Sequence, residues 1–356
     1  IVENEPVEVT TFRSEAGYSD HRHPDEVSFV KSLEEDLKRR DFTVNAMAYS
    51  PKDGVIDLFG GQNDLENGIL RTVGEPKERF KEDALRILRA VRFVAKTGFS
   101  VDEKTLAAME ELKGDLQNVS VERIYSELTK ILCAPFAAKA LITCKNVIFE
   151  VLPELKPMDG FDQKSLSHDY DVYTHTVKAI ELCKERTPVV VWTLLLHDCG
   201  KPYTFVVDEA GYGHFPKHMP ESEKIARSVL NRLKAPSKLT ERVCLLVLNH
   251  DRSFDDDAYK IKKFMSLFGE EAFRQLLIVK EADCYAHSAH GIEKYRHCHV
   301  LSRRTLEEIK KRGDCFYFNE MKLSGGYLAS LGFGGKQIGA IKHKLFEMVL
   351  KNKLPN

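Results

Sequence analysis

The sequence predicts an α+β protein, with strands confined to the N-terminal part and a remainder that is mostly helical. Three observations lead there. Apolar and polar residues alternate only near the start, in EPVEVTTFRS, in Val27 to Val30 and in the stretch VIDLFGGQNDLENGILRTVG. From Phe80 to Thr97, Leu85, Leu88, Val91 and Ala95 recur at spacings of three and four residues, the stripe of an amphipathic helix. Further on, the apolar runs VVVWTLLL and ERVCLLVLNH each end on a histidine.

Composition narrows the class. The chain of 356 residues can bury two or three cores, and its 43% hydrophobic and 30% charged residues are those of an ordinary globular protein. No apolar run is long enough to span a membrane and no signal-peptide pattern opens the chain, which predicts a cytoplasmic protein. The eight cysteines are scattered without a CxxC pair, which argues against a disulfide framework or a thiolate zinc site. A formal net charge of −1 gives no global basic field, so any RNA site must be a local patch.

In chain order, Val7 and Val9 alternate as in a strand, Ser14 to Glu26 reads as a polar loop, and Val27 to Val30 as a second strand. Ser32 to Ser50 reads as one helix, with Ser32 as N-cap and Glu35 at the capping-box position. Inside it, RRDFTVNA gathers guanidinium forks, a carboxylate and small hydrogen-bonding groups. Forks suit phosphate oxygens and Asp or Asn suits ribose hydroxyls, although a solvated charged helix face explains these residues equally well. A Gly60-Gly61 turn separates strand-like stretches before the Phe80 to Thr97 helix. Val101 to Lys113, Val121 to Leu132 and Ala137 to Leu155 extend the helical region, and Pro153 and Pro157 mark its end.

Asp83 and Arg86 stand three apart, which on a continuous helix puts a carboxylate beside a guanidinium on the outer face. Together they offer one acceptor and one donor. Cytosine and adenine match this pair with an amino group beside an unprotonated ring nitrogen. Guanine and uracil oppose donor to donor and acceptor to acceptor, at about 1–3 kcal/mol per buried unsatisfied group. A lone pair of this kind is usually a surface ion pair; its neighbours change that reading.

RRDFTVNAMA, DLFGGQNDL, LRTVGEPKERF and EDALRILRAVRF, in this order, resemble the bacterial CCA-adding enzymes (tRNA nucleotidyltransferases) and the related bacterial poly(A) polymerases. The resemblance implies that Arg39, Arg40, Asp41, Thr43 and Asn45 hold the ribose and triphosphate of ATP or CTP and that Asp83 and Arg86 select the base. Arg89 and Arg92 would approach phosphates, and Glu122 and Arg123 would brace the base-reading helix. SEAGYSDHRHP resembles the family's flexible loop, with His23 where Arg is common. In the family, a Gly-rich turn with an Asp-x-Asp pair precedes this region and holds two Mg²⁺ ions. It is not found here, and Glu8 alone matches a third carboxylate position. The expectation is therefore a remnant of a longer protein that binds nucleotide better than it transfers it.

The downstream histidines form a second constellation. His175, His197, His218 and His250 end or interrupt helical stretches, and Asp198 and Asp283 accompany them; imidazole and carboxylate together suit Mg²⁺, Mn²⁺, Fe, Co or Ni. With the signature LLLHDCGKP, the set resembles the HD phosphohydrolases. The resemblance implies one divalent metal on His175, His197, Asp198 and Asp283, a second on His218 and His250, Lys201 neutralising phosphate charge, and phosphatase or 2′,3′-cyclic phosphodiesterase activity on tRNA ends. Lys294 to Lys311 and Gln337 to Lys351 read as basic helices, and KLSGGYLASLGFGGKQIG resembles the family's tRNA-binding tail. The resulting division is a partial nucleotidyltransferase palm at 1–75, a helical neck at 76–157, an HD domain at 158–290 and a tail at 291–356. Poly(A) polymerase, an HD phosphohydrolase with a nucleotide effector domain, and a non-catalytic tRNA-binding protein are the alternatives.

Overall fold

The structure, a computed structural model, describes residues 9–16 and 26–356. Contacts divide the chain into two compact units, one of residues 1–156 with 229–235 and one of residues 157–228 with 236–356. The α+β class holds, with helix predominating.

In the first unit, β1 (Arg13–Ala16) and β2 (Glu26–Phe29) pair antiparallel, so Ser14 to Ala16 is strand where the sequence suggested a loop. The expected single helix from Ser32 to Ser50 is replaced by three pieces. α1 (Leu33–Lys38) starts on the Ser32 cap, whose hydroxyl accepts the Glu35 N–H at 3.4 Å. A 3₁₀ turn (Thr43–Asn45) follows, and β3 (Met47–Ser50) pairs with β4 (Gly54–Asp57). The helix stops because Phe42 and Thr43 are drawn to a distant stretch: Phe42 bridges Thr72, and the Thr43 N–H donates to the Arg71 carbonyl at 3.0 Å. α2 (Gly61–Asn67) then occupies what read as strand. Its Gly61 is required by space, since a Cβ would stand 2.3 Å from the Thr43 carbonyl oxygen. β5 (Ile69–Leu70) pairs in parallel with β6 (Ser100–Val101).

The helix expected from Phe80 to Thr97 is broken at Asp83 into α3 (Pro76–Glu82) and α4 (Leu85–Thr97). Asp83 is extended, with φ −144° and ψ 104°, and its carboxylate accepts the Leu85 N–H at 3.0 Å, a local bond that competes with the helical pattern. Gly98, at φ 74°, closes α4. The stripe Leu85, Leu88, Val91 and Ala95 is buried, and so are Ile87, Ala90 and Val94. The face is wider than predicted because α4 packs against both α6 (Val121–Cys133) and α7 (Ala137–Thr143). Burying each Leu, Ile or Val there contributes about 1.5–3 kcal/mol. α5 (Glu103–Leu112), capped by Asp102, and α8 (Lys145–Val151) complete this unit.

The second unit is built on α9 (Val172–Leu182) and α10 (Pro188–Leu196). Every residue of α10 from Val190 to Leu196 is buried, as expected of a helix apolar on all sides. It packs against α9, α13 (Ser237–Asn249) and α15 (Glu270–Tyr285). Between these lie the short α11 (Lys201–Thr204), the hairpin of β7 (Val206–Val207) and β8 (Gly213–His214), α12 (His218–Arg232) and α14 (Ala258–Phe268). The long α16 (Ala289–Arg312), α17 (Gly325–Ser330) and α18 (Gly335–Leu350) finish the chain. Among the described residues no helix is long and apolar enough to cross a membrane.

Candidate functional site

Two groups of polar side chains stand out, one in each unit. In the first unit the end of α1 and the 3₁₀ turn meet the start of α4. Asp36, 3% exposed, accepts from Arg39 Nη2 at 2.7 Å, Arg40 Nη2 at 3.2 Å and the Arg13 N–H at 3.3 Å. Burial would raise its carboxyl, but the Arg39 side chain, the Arg13 amide and Arg40 outweigh that and hold it below the usual range. Asp41 accepts from the Phe42 N–H at 2.9 Å, Asn45 Nδ2 at 3.2 Å and Arg89 Nε at 2.8 Å. Arg86 donates to the Arg39 carbonyl at 3.2 Å, to the Arg79 carbonyl at 3.0 Å and to Glu82. Arg39, Arg40, Asp41, Asn45, Arg86 and Arg89 are thus brought into one cluster.

Several predicted residues are placed differently. Asp83 pairs with Arg123 at 2.9 Å, while Arg86 turns to Glu82, so the break in the helix removes the side-by-side arrangement that an unbroken turn would give. Arg123 does brace this junction, whereas Glu122 pairs with Lys234 at 2.6 Å. Thr43 is 2% exposed and gives its hydroxyl to Asp64 at 2.7 Å, which makes it a support of the turn. Arg92 leaves the cluster for the buried Glu127 of α6 at 2.8 Å, since six residues of helix turn it far from Arg86. Glu8 lies outside the described residues, as does the loop segment with Arg22, His23 and Pro24. Among the described residues, the His, Cys, Asp and Glu groups close enough to share an ion all lie in the second unit.

There, helix ends deliver the ligand atoms. His197 and His250 follow the last residues of α10 and α13, His218 opens α12, His175 lies on α9, and Asp283 is in the last turns of α15. The four imidazoles share one device. Their Nδ1 atoms face backbone carbonyls: His197 to Leu194 at 2.7 Å, His250 to Val247 at 2.7 Å, His218 to Phe215 at 3.0 Å and His175 to Ala286 at 3.2 Å. A carbonyl only accepts, so each Nδ1 is the donor there and each ring turns its Nε2 inward, as metal-ligating histidines do.

Inward, His175 Nε2 is 2.8 Å from Asp283 Oδ1, and His197 Nε2 is 3.2 Å from Asp198 Oδ2 and 3.4 Å from Asp283 Oδ1. On the other side of Asp198, Oδ1 is 3.7 Å from His218 Nε2 and 3.6 Å from His250 Nε2. Those two nitrogens are 3.3 Å apart. That spacing lets one cation take both nitrogens. His197 Nε2 and Asp198 Oδ1 are buried without a hydrogen-bond partner. The set therefore fits two divalent ions, with Asp198 giving one oxygen to each. Burial disfavours charge on His197, but Asp198 and Asp283 beside it lift it to about 10, which marks the spot where positive charge is favoured. Burial opposes ionisation of Asp198 and Asp283 too, yet His197 and Lys201 around the first, and His287 and His175 around the second, hold both well below the carboxylate range.

Lys201, expected to meet phosphate, is 7% exposed, and its Nζ contacts Asp198 Oδ2 at 2.7 Å and Gln163 Oε1 at 2.9 Å. It positions Asp198. Sequence reasoning missed Gln163, which sits in a polar loop with no local signal, and also Lys280 and His287. Lys280 stands three before Asp283 on α15, a spacing that could have revealed it, whereas His287 lies just past the end of that helix, its Nδ1 2.8 Å from the Asp283 carbonyl. Asp198, Lys201, His218, His250, Asp283 and His287 border a cavity of about 720 Å³.

Residues 1–71 match the poly A polymerase head domain, residues 98–158 the probable RNA and SrmB-binding site of polymerase A, and residues 172–287 the HD domain. The chain is 54% identical over 156 residues to the CCA-adding enzyme of Streptococcus gordonii, covering 43% of this chain and 39% of that one. It is 48% identical over 164 residues to the CCA-adding enzyme of a Geobacillus species, covering 46% and 41%. The matched region is thus less than half the length of these curated relatives. Among solved structures, the Bacillus stearothermophilus CCA-adding enzyme in complex with CTP superimposes with a TM-score of 0.68 at 26% identity, over 98% of this chain and 75% of that one. The Thermotoga maritima CCA-adding enzyme complexed with tRNA shares the fold, with a TM-score of 0.51 at 23% identity over 91% and 71%. Head, RNA-binding and HD regions follow one another here in this order, and the relatives and the solved structure that the chain resembles are bacterial CCA-adding enzymes.

Proposed function

We propose that this chain is the part of a cytoplasmic tRNA nucleotidyltransferase that takes C and A from CTP and ATP to the tRNA 3′ end, joined to an HD metal phosphohydrolase. We further propose the division into palm (1–75), neck (76–157), HD domain (158–290) and tRNA-binding tail (291–356). The observation that carries the transferase reading is the cluster in which α4 brings Arg86 and Arg89 onto Arg39, Arg40 and Asp41. Its support among relatives is the CTP complex that superimposes on nearly the whole chain.

In this reading Arg40 and Arg89, whose side chains are 41% and 37% exposed, turn to the triphosphate. Asp41 and Asn45 meet the ribose. Asp83 and Arg86 read the base from either side of the α3–α4 break, Asp83 exchanging Arg123 for the exocyclic amino group of C or A. The tRNA 3′ oxygen attacks the α-phosphorus in line, the bond to the β-phosphate breaks, pyrophosphate leaves and the hydroxyl proton passes to solvent. Mg²⁺, when bound, neutralises the triphosphate charge.

In the HD unit, His175, His197, Asp198 and Asp283 would hold one divalent ion and His218, His250 and Asp198 the other. Such ions polarise a phosphoryl oxygen and acidify water. Lys201 and Gln163 fix the carboxylate that both ions share. The substrate class is a phosphomonoester or a 2′,3′-cyclic phosphate, and Mn²⁺, Co²⁺, Ni²⁺ and Mg²⁺ are the ions to compare.

The test is equilibrium binding of the four nucleoside triphosphates in the presence of Mg²⁺. CTP and ATP are expected to bind roughly tenfold or more tighter than GTP and UTP, the cost of one mismatched buried group. Asp83→Ala combined with Arg86→Ala should erase that preference while far-ultraviolet circular dichroism stays unchanged. Equal binding of all four by the parent, or an undiminished preference in the double variant, would overturn the base-reading role.

A further inference from the structure

A third group of ligand atoms lies apart from the HD histidines. One ligand atom each of Asp255, His297 and Cys298 come within 4.8 Å of one another. Asp255 sits in the loop after α13 at φ 46°, a backbone conformation that costs a residue with a Cβ and persists only where its surroundings hold it. Here its carbonyl accepts the Ser302 hydroxyl of α16 at 2.9 Å, and its Oδ2 accepts the Ser253 hydroxyl. Its Oδ1 is buried with no hydrogen-bond partner. Opposite, α16 presents Cys298, whose Sγ is 3.5 Å from His297 Nε2. The imidazole is exposed and the thiol half-buried, so an ion can enter from solvent.

We propose that Asp255, His297 and Cys298 form a third divalent-cation site, suited to a zinc-class ion by one sulfur, one nitrogen and one oxygen donor. A borderline-soft ion takes this mixed set, whereas Mg²⁺ prefers oxygen alone. The fourth position is open to water or an incoming ligand. Ser253 and Cys298 both border the HD cavity, so the ion ties the loop after His250 to α16 at the cavity wall. Binding involves no redox change: the sulfur lone pair goes to the ion and the thiol proton to buffer. In the free protein, burial and the Asp255 carboxylate raise the Cys298 thiol, so it carries that proton at neutral pH.

Sulfur makes the site separable from the HD centre, whose donors are all nitrogen and oxygen. Titrating the whole reduced chain with Co²⁺ should give a near-ultraviolet sulfur-to-cobalt charge-transfer band. The band is expected to vanish in Cys298→Ser, to require at least about tenfold more Co²⁺ in His297→Gln, to persist in His250→Gln, and to bleach when Zn²⁺ is added, since zinc binds such sites more tightly than cobalt. His297 is exposed, so its variant tests the site without disturbing the fold. No band at saturating Co²⁺, or a band intact in Cys298→Ser, overturns the proposal. A band that zinc fails to displace overturns the zinc-class assignment.

Discussion

Asp36 shows how one carboxylate organises a cluster. Nearly buried, it holds Arg39 and Arg40 and is itself held by the Arg13 amide. Its folded pKa is depressed, so its contribution is complete above the unfolded value near about 3.9 and is lost as pH falls through the folded value. Asp36→Asn should cost roughly 1–2 kcal/mol at neutral pH, the lower end for an ion pair because both guanidinium partners keep some solvent. The difference from the parent should shrink below about pH 4. Urea midpoints at pH 7 and pH 3 decide it, and an equal difference at both would show that the charge of Asp36 is not what holds the arginines. Thr43 and Arg92 teach the complementary lesson. Both carry the chemistry a nucleotide needs, but Asp64 and Glu127 claim them.

At the scale of elements, the HD centre is a product of helix ends. α10 and α13 each stop so that the residue just past the last turn directs its Nδ1 at a carbonyl three residues back and its Nε2 inward. The turn after α10 must then pass very close to α12. A Cβ on Gly200 would stand 2.5 Å from the Ser222 nitrogen and 2.6 Å from the His218 carbonyl oxygen. Gly200 φ is −84°, so space and not backbone conformation demands glycine. Gly200→Ala should push Asp198 away from His218, with a stability loss of roughly 1–3 kcal/mol from overpacking. Calorimetric titration with Mn²⁺ is expected to show the His218–His250 equivalent weakened at least tenfold and the other retained. Unchanged stoichiometry and affinity for both would mean that the contact does not set the Asp198 position.

At the scale of the whole molecule, two compact units divide the chemistry, with the cluster of the proposed nucleotide site in one and the candidate metal ligands in the other. Metal bound to the folded chain alone stabilises what it touches, by about 2.7 kcal/mol at a hundredfold excess over Kd. Removing divalent ions with a chelator should therefore speed amide exchange roughly 10–100-fold in α9, α10, α13 and α15 and leave α4, α6 and α7 unchanged. Hydrogen-exchange mass spectrometry reads both sets in one experiment. Loss of protection spread evenly over α4 and α10 would contradict metal binding confined to the HD unit.

The sequence by itself determined the elements whose information is local. The spacing in α4 and α6, the apolar run of α10, and the helix-ending histidines name faces and ends without reference to distant chain. It also supplied the six HD ligand candidates, because their residue types are rare at the ends of apolar runs. What only the tertiary structure decided are the partners reached across long loops. Thr72 and Arg71 hold Phe42 and Thr43 out of the helix that ends at Lys38, Arg123 holds Asp83 at the break between α3 and α4, Gln163 anchors Lys201, and Asp198 turns one oxygen to each pair of histidines. Periodicity dictates which face a residue lies on. Which group meets it there depends on where the chain returns, and burial then fixes the pairing because an unpaired polar group in the interior costs more than the bond it forgoes.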